Sequence, residues 1–299
     1  MEKNKLAIVV FLIATHDLKY SMICLIIKPS CFIGEDFKMF EKLGVQLYTV
    51  RDYLKDPEFA NLTFQRLAQL GYSEVQTAGA TPFDDQLFGE LIHQNGLTVV
   101  GTHYDYKKIL EKPEETMEIH RMWGTTNIGI GSMPQEPRKN LDELKKFISD
   151  FNKAAELYAK HGFKLTYHNH NFEFVRIDGY KTIMDLLYEG LDPATTSFVL
   201  DTCWVAAGAG DVTEWMEKLA GRIDILHLKD VFTRYNKTTG ALEHSMTEVG
   251  HGTVAWDKVI ATAEKIGVKS YVVEQDTNFI GSPFDSLKFS AEYLAKYKK

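Results

Sequence analysis

From Gly44 onward the chain alternates amphipathic stretches of helical period, a glycine, and a short run rich in β-branched and aromatic residues. Leu67-Ala68-Gln69-Leu70-Gly71 precedes Ser73 to Gln76, Asn95-Gly96 precedes Leu97 to Gly101, and Lys160-His161-Gly162 precedes Phe163 to Tyr167. Leu219-Ala220-Gly221 precedes Ile223 to Leu226, and Lys265-Ile266-Gly267 precedes Ser270 to Val273. Each glycine suits the left-handed residue that closes a helix. With Gly44 to Tyr48, Thr126 to Ile130 and Thr196 to Leu200, the runs make eight expected strands. The repeat of roughly 25 to 45 residues is a strand plus a crossover helix, which implies a parallel sheet. Eight such units fit an α/β fold closed as a (β/α)8 TIM barrel, a single catalytic domain over residues 39–299.

Leu144, Ile148, Phe151, Ala155 and Tyr158 recur at helical spacing and predict an apolar stripe facing the barrel. Asn140 and Glu143 offer the side chains of a capping box, which starts that helix near Leu141. No Gly/Ser or Pro linker interrupts residues 40–299. The segment Val231 to Gly252 is polar, carries Gly240, Gly250 and Gly252, and reads as a loop over the pocket mouth acting as a lid.

Residues 1–38 read differently. Two apolar runs, Leu6 to Ala14 and Met22 to Ile27, are each too short to span a bilayer. The extension reads as a non-native start upstream of Met39 or as a degenerate signal, so the expected compartment is the cytoplasm, or the periplasm if the segment is a signal. The 299 residues carry a formal net charge of -7, which argues against nucleic acid as a partner. No membrane partner is expected, and a homo-oligomer is open. Cys24, Cys31 and Cys203 form no CxxC pair, so neither a disulfide framework nor a thiolate zinc site is signalled. Cys203 is expected to be a small wall residue rather than a nucleophile.

The chemistry collects at strand ends. Tyr167-His168-Asn169-His170, Leu200-Asp201, His227-Leu228-Lys229-Asp230 and Val273-Glu274 each terminate an apolar run. A barrel opens all its strand ends onto one face, so these residues converge. Two imidazoles and two carboxylates there suit one divalent cation. Period two places His227 and Lys229 on one face, and Thr166, His168 and His170 on another if the fifth strand persists that far. Glu173 is an alternative ligand if the backbone turns inward after Asn171. Thr102-His103 brings a further imidazole to the same face.

Together with Gly44-Val45-Gln46-Leu47-Tyr48-Thr49-Val50-Arg51, these motifs resemble the sugar phosphate isomerase/epimerase superfamily, the xylose isomerase-like barrels. The resemblance covers residues 40–299. It implies metal ligation by His168, Asp201, His227 and Glu274, with manganese, or else cobalt, magnesium or zinc, as the cation. Better-known ketose 3-epimerases carry a glutamate at the fifth-strand position. Here His168 stands there, so Glu274 is expected to work with His168, His170 or His103 in place of a two-glutamate relay.

The implied function is a sugar isomerase or epimerase acting on a keto-sugar by proton abstraction next to a carbonyl. Glu274 is the expected base, Lys229 the cation for the developing oxyanion, and His103 or His170 the proton donor. Gln46, Tyr48, Asn169 and Trp204 are the expected substrate contacts, with Tyr48, Trp204 and Trp256 as a platform for a pyranose face. The alternative is a metal-dependent lyase or hydrolase that eliminates from 3-keto-glycosides. Cleavage of abasic DNA would need a trinuclear cluster and a basic track, and neither is evident. A non-catalytic sugar-binding barrel would bind without metal.

Overall fold

The computed structural model describes residues 40–79 and 83–299. The extension 1–38, with its two readings, and Cys24 and Cys31 lie outside the described residues. Strands β1 (Gly44–Gln46), β2 (Glu74–Ala78), β3 (Thr98–Tyr104), β4 (Asn127–Ile130) and β5 (Lys164–His168) come first. A short antiparallel pair, β6 (Arg176–Asp178) and β7 (Lys181–Thr182), precedes β8 (Thr196–Asp201) and β9 (Ile223–Leu228). A longer antiparallel hairpin, β10 (Asp230–Tyr235) with β11 (Leu242–Thr247), separates these from β12 (Ser270–Val273).

The barrel closes in the order β1-β12-β9-β8-β5-β4-β3-β2, with helices in the crossovers. The eight expected strands are all present. The five helix-closing glycines, Gly71, Gly96, Gly162, Gly221 and Gly267, have φ between 72° and 90°, a region where a Cβ is strained. The helix Leu141–Ala159 starts where Asn140 accepts hydrogen bonds from the amides of Asp142 and Glu143. Only that half of the expected box forms.

Most strand ends shift by one to three residues from the expected ones, and three of these shifts bear on the site. β1 stops at Gln46 because Gln46 caps a 3-10 helix, Leu47–Tyr53, by accepting from the Tyr48 amide. β3 runs on to Tyr104 and so includes His103. β5 ends at His168, so His170 projects from the following loop instead of the strand. The expected lid loop is corrected too: residues 230–247 pair in register as β10 and β11. The hairpin contributes no residue to the wall of the main cavity.

Inside the barrel, period two stacks chemistry on packing. Val199, Ile225 and Val272 form an apolar plug. Two residues further along the same strands stand Asp201 and His227, and just past the end of β12 stands Glu274. Asp201 and His227 are directly opposed in the β8–β9 register. Gly101 faces Ile225, whose Cδ1 lies 2.7 Å from where a Cβ would be, so a larger residue below His103 would have to displace that side-chain end.

Candidate metal centre and reaction pocket

His168, Asp201, His227 and Glu274 each offer one ligand atom, and these atoms lie within 4.8 Å of one another. All four residues are buried. Ligand atoms around one cation about 2.1 Å away are separated by at most twice that distance, close to the spread observed. Among the described residues this is the one such group.

Each imidazole has its outer nitrogen tied down. His168 Nδ1 lies 2.9 Å from the Gly131 carbonyl oxygen, which can only accept, so Nδ1 carries the proton and Nε2 is free. That Nε2 stands 3.4 Å from Asp201 Oδ2. His227 Nε2 is 2.5 Å from Gln76 Oε1. Its Nδ1 approaches Glu274 Oε2 at 2.9 Å and Asp201 Oδ2 at 3.6 Å, yet makes no aligned hydrogen bond. A buried nitrogen crowded by two carboxylates, one of them at ion-pair distance, is the arrangement a shared cation resolves. The donor set therefore fits a divalent ion of borderline hardness.

Lys229, buried, places Nζ 3.0 Å from Glu274 Oε2, 2.9 Å from Asp276 Oδ2 and 3.5 Å from Asp201 Oδ2. Three carboxylates against one ammonium leave two negative charges, which one dication would balance. Burial disfavours the Glu274 carboxylate, but Lys229 and His227 more than reverse this and hold it well below the usual carboxylate range. Burial likewise works against the His227 cation, yet Glu274 and Asp201 push its pKa up to about 9. Burial and the neighbouring histidines hold His103 neutral, and burial lowers His170 to about 3.

These groups open onto a cavity of about 470 Å³. His103, His170, Lys229 and Glu274 line it, as do Tyr48 and Trp204. The other two expected substrate contacts are corrected. Gln46 and Asn169 are fully buried below the wall because each is engaged by another site residue. Gln46 Nε2 donates to Gln76 Oε1 at 2.8 Å, and Asn169 Oδ1 accepts from the Asp201 amide at 2.9 Å. Trp256 is corrected as a platform residue, since it is buried with Nε1 donating to Asp230 Oδ2 at 2.6 Å.

Glu173 does not join the ligand set. It accepts from the Tyr167 hydroxyl at 2.6 Å and the His170 amide at 2.7 Å, which fixes the loop carrying His170. Cys203 packs against Val231 and Met246 and burial pushes its thiol well up, so it is a buried packing residue behind the cavity and not part of its wall. Asp276, Tyr104, Asp105, Lys108 and Ser132 also line the cavity and escaped the sequence reading. Asp276 was accessible by the same period-two step that leads from Val272 to Glu274.

Residues 64–296 match the model of a family described as xylose isomerase-like TIM barrel. The inosose dehydratase of Geobacillus kaustophilus is 23% identical over 265 residues, covering 76% of this chain and 84% of the relative. That of Lactiplantibacillus plantarum is 29% identical over 214 residues, covering 67% and 65%. A solved sugar phosphate isomerase/epimerase from Parabacteroides distasonis superposes with a TM-score of 0.70 at 25% identity, covering 86% of this chain and 94% of its own.

Proposed function

The chain belongs to the xylose isomerase-like TIM barrel family, and from that premise we propose that it is a divalent-metal-dependent lyase of keto-sugars or keto-cyclitols. It removes a proton next to the carbonyl and expels the oxygen substituent one carbon further on. This reverses the order of the two readings drawn from sequence. The observation that carries it is His168. Its Nδ1 is occupied by Gly131 and its Nε2 faces the ligand set, so no acid-base group is free at that position. Epimerisation needs a proton carrier on each substrate face, whereas elimination needs one base and assistance to the departing oxygen. The inosose dehydratases bear names that describe loss of water, which supports the same choice.

The bound cation would supply polarisation of the substrate carbonyl. Glu274 takes the carbon-bound proton, and the electron pair left behind forms the new carbon–carbon double bond as the carbon–oxygen bond breaks. The ammonium of Lys229, held charged by three carboxylates, opposes the negative charge that gathers on oxygen. Neutral His170 or His103 donates a hydrogen bond to the departing oxygen, and the proton taken by Glu274 leaves with that oxygen as water or alcohol. Trp204 and Tyr48 offer apolar faces to the ring.

The test is metal-stripped protein with and without manganese, in heavy water, with free ketohexoses, a keto-cyclitol, 3-keto-glucose and a 3-keto-glucoside, followed by proton NMR. Manganese-dependent appearance of an unsaturated product, with release of water or aglycone, is the expected result. Glu274→Gln should lower it by about 10²-fold or more. Deuterium uptake with an epimeric product would restore the isomerase reading, and turnover indifferent to metal and to Glu274→Gln would remove both.

A further inference from the structure

We propose that Gln46 and Gln76 form an amide bridge that assigns the two histidines at its ends opposite duties: His227 as a metal ligand through Nδ1, and His103 as a neutral Nε2–H donor to a substrate oxygen. The inference rests on the metal-dependent reading of the same pocket.

One group that can only donate starts the chain of assignments. The backbone N–H of Tyr48 donates to Gln46 Oε1 at 3.2 Å, so Gln46 must turn its NH2 the other way. That NH2 faces Gln76 Oε1 at 2.8 Å and His103 Nδ1 at 3.4 Å. Its two hydrogens serve both, so each of these atoms is an acceptor. Gln76 therefore presents oxygen, and the same oxygen lies 2.5 Å from His227 Nε2. Two acceptors cannot share that contact, so His227 Nε2 carries the proton and Nδ1 is left with its lone pair among the ligand atoms.

At the other end, His103 Nδ1 is an acceptor and its proton must sit on Nε2. Nε2 has no partner among the described residues, and His103 lines the cavity. The parallel register of β1 and β2, which sets Gln46 beside Gln76, holds both amides rigidly, and both are fully buried. A neutral imidazole that presents N–H polarises a carbonyl or hydroxyl oxygen without bringing a second cation beside a dication. Gln46 and Gln76 are thus positioning residues, acting through the two rings.

The experiment needs no substrate, so its outcome is separate from that of the lyase reading. The full chain labelled with ¹⁵N-histidine and loaded with magnesium is examined by long-range ¹H–¹⁵N correlation, with His103→Asn and His227→Asn for assignment. Both rings should show protonated Nε2 and bare Nδ1. In Gln46→Glu, a carboxylate faces His103 and its proton should move to Nδ1. Manganese affinity gives the second measurement. Gln76→Leu should weaken it about 10–100-fold, and Gln76→Glu, which keeps an acceptor oxygen, should recover most of the loss. A purely packing role predicts that the buried charge of Gln76→Glu is no better tolerated than the leucine. His103 protonated on Nδ1 in the unaltered chain, or Gln76→Leu binding manganese within twofold of it, would overturn the proposal.

Discussion

At the scale of single residues, the buried carboxyl of Glu173 shows how a side chain outside the ligand set shapes the pocket. Burial raises its pKa to about 7, against the opposing pull of its hydrogen bonds from Tyr167 and His170. In the unfolded chain the same carboxyl ionises near its ordinary value of 4.5. Between those pH values the unfolded form binds fewer protons, so stability is full below the lower value and falls as pH rises towards 7. Glu173→Gln should flatten that fall, measured as unfolding free energy between pH 4.5 and 7.5. The amide fits because its oxygen accepts from the His170 amide while its NH2 donates to the Tyr167 hydroxyl. An unchanged pH slope would show that Glu173 is ionised throughout. The candidate ligands were legible because Asp201, His227 and Glu274 each follow an apolar strand run, where a lone polar residue needs a reason. Gln76 was not legible: an uncharged amide at the end of Glu74-Val75-Gln76 has no spacing signature, and its role exists only through contacts 30 and 151 residues away.

At the scale of elements, the hairpin of β10 and β11 is anchored at its base by one carboxylate. Asp230 accepts from the amides of Val231, Gly250, Gly252 and Val254 and from the Trp256 indole. Gly252 is required there, since a Cβ would meet Asp230 Oδ1 at 2.1 Å. The period-two pattern of this hairpin went unread because its outer pairs are solvated: Tyr235 and Leu242, directly opposed, are 70% and 65% exposed. With no face to bury, alternation of polarity carries no information. The barrel strands were legible for the opposite reason, their apolar runs being buried on both faces. Asp230→Ala leaves several buried donors unsatisfied and should cost about 4 kcal/mol of stability in denaturant unfolding. A loss under about 1 kcal/mol would mean that the hairpin base is held by packing alone.

At the scale of the whole molecule, the four candidate ligands stand on or directly after β5, β8, β9 and β12, which are consecutive staves of the closed barrel. A cation held by them would cross-link that half of the wall, so its binding should appear as stability. At a hundredfold excess over the dissociation constant the gain is about 2.7 kcal/mol. Its pH dependence has a sign fixed by His227. In the metal-free protein Glu274 and Asp201, outweighing burial, raise this imidazole from 6.5 to about 9. That stabilisation is full below pH 6.5 and is lost as pH rises through about 9. The cation must displace the same proton, so its affinity should grow about tenfold per pH unit over this range. The two melting curves, with and without manganese, should therefore diverge as pH is raised from 6.5 to 8.5. Asp201→Asn, which removes a ligand charge and one source of the raised imidazole pKa, should shrink the divergence towards zero. Parallel curves in the unaltered protein would mean that His227 does not exchange its proton for a metal ion.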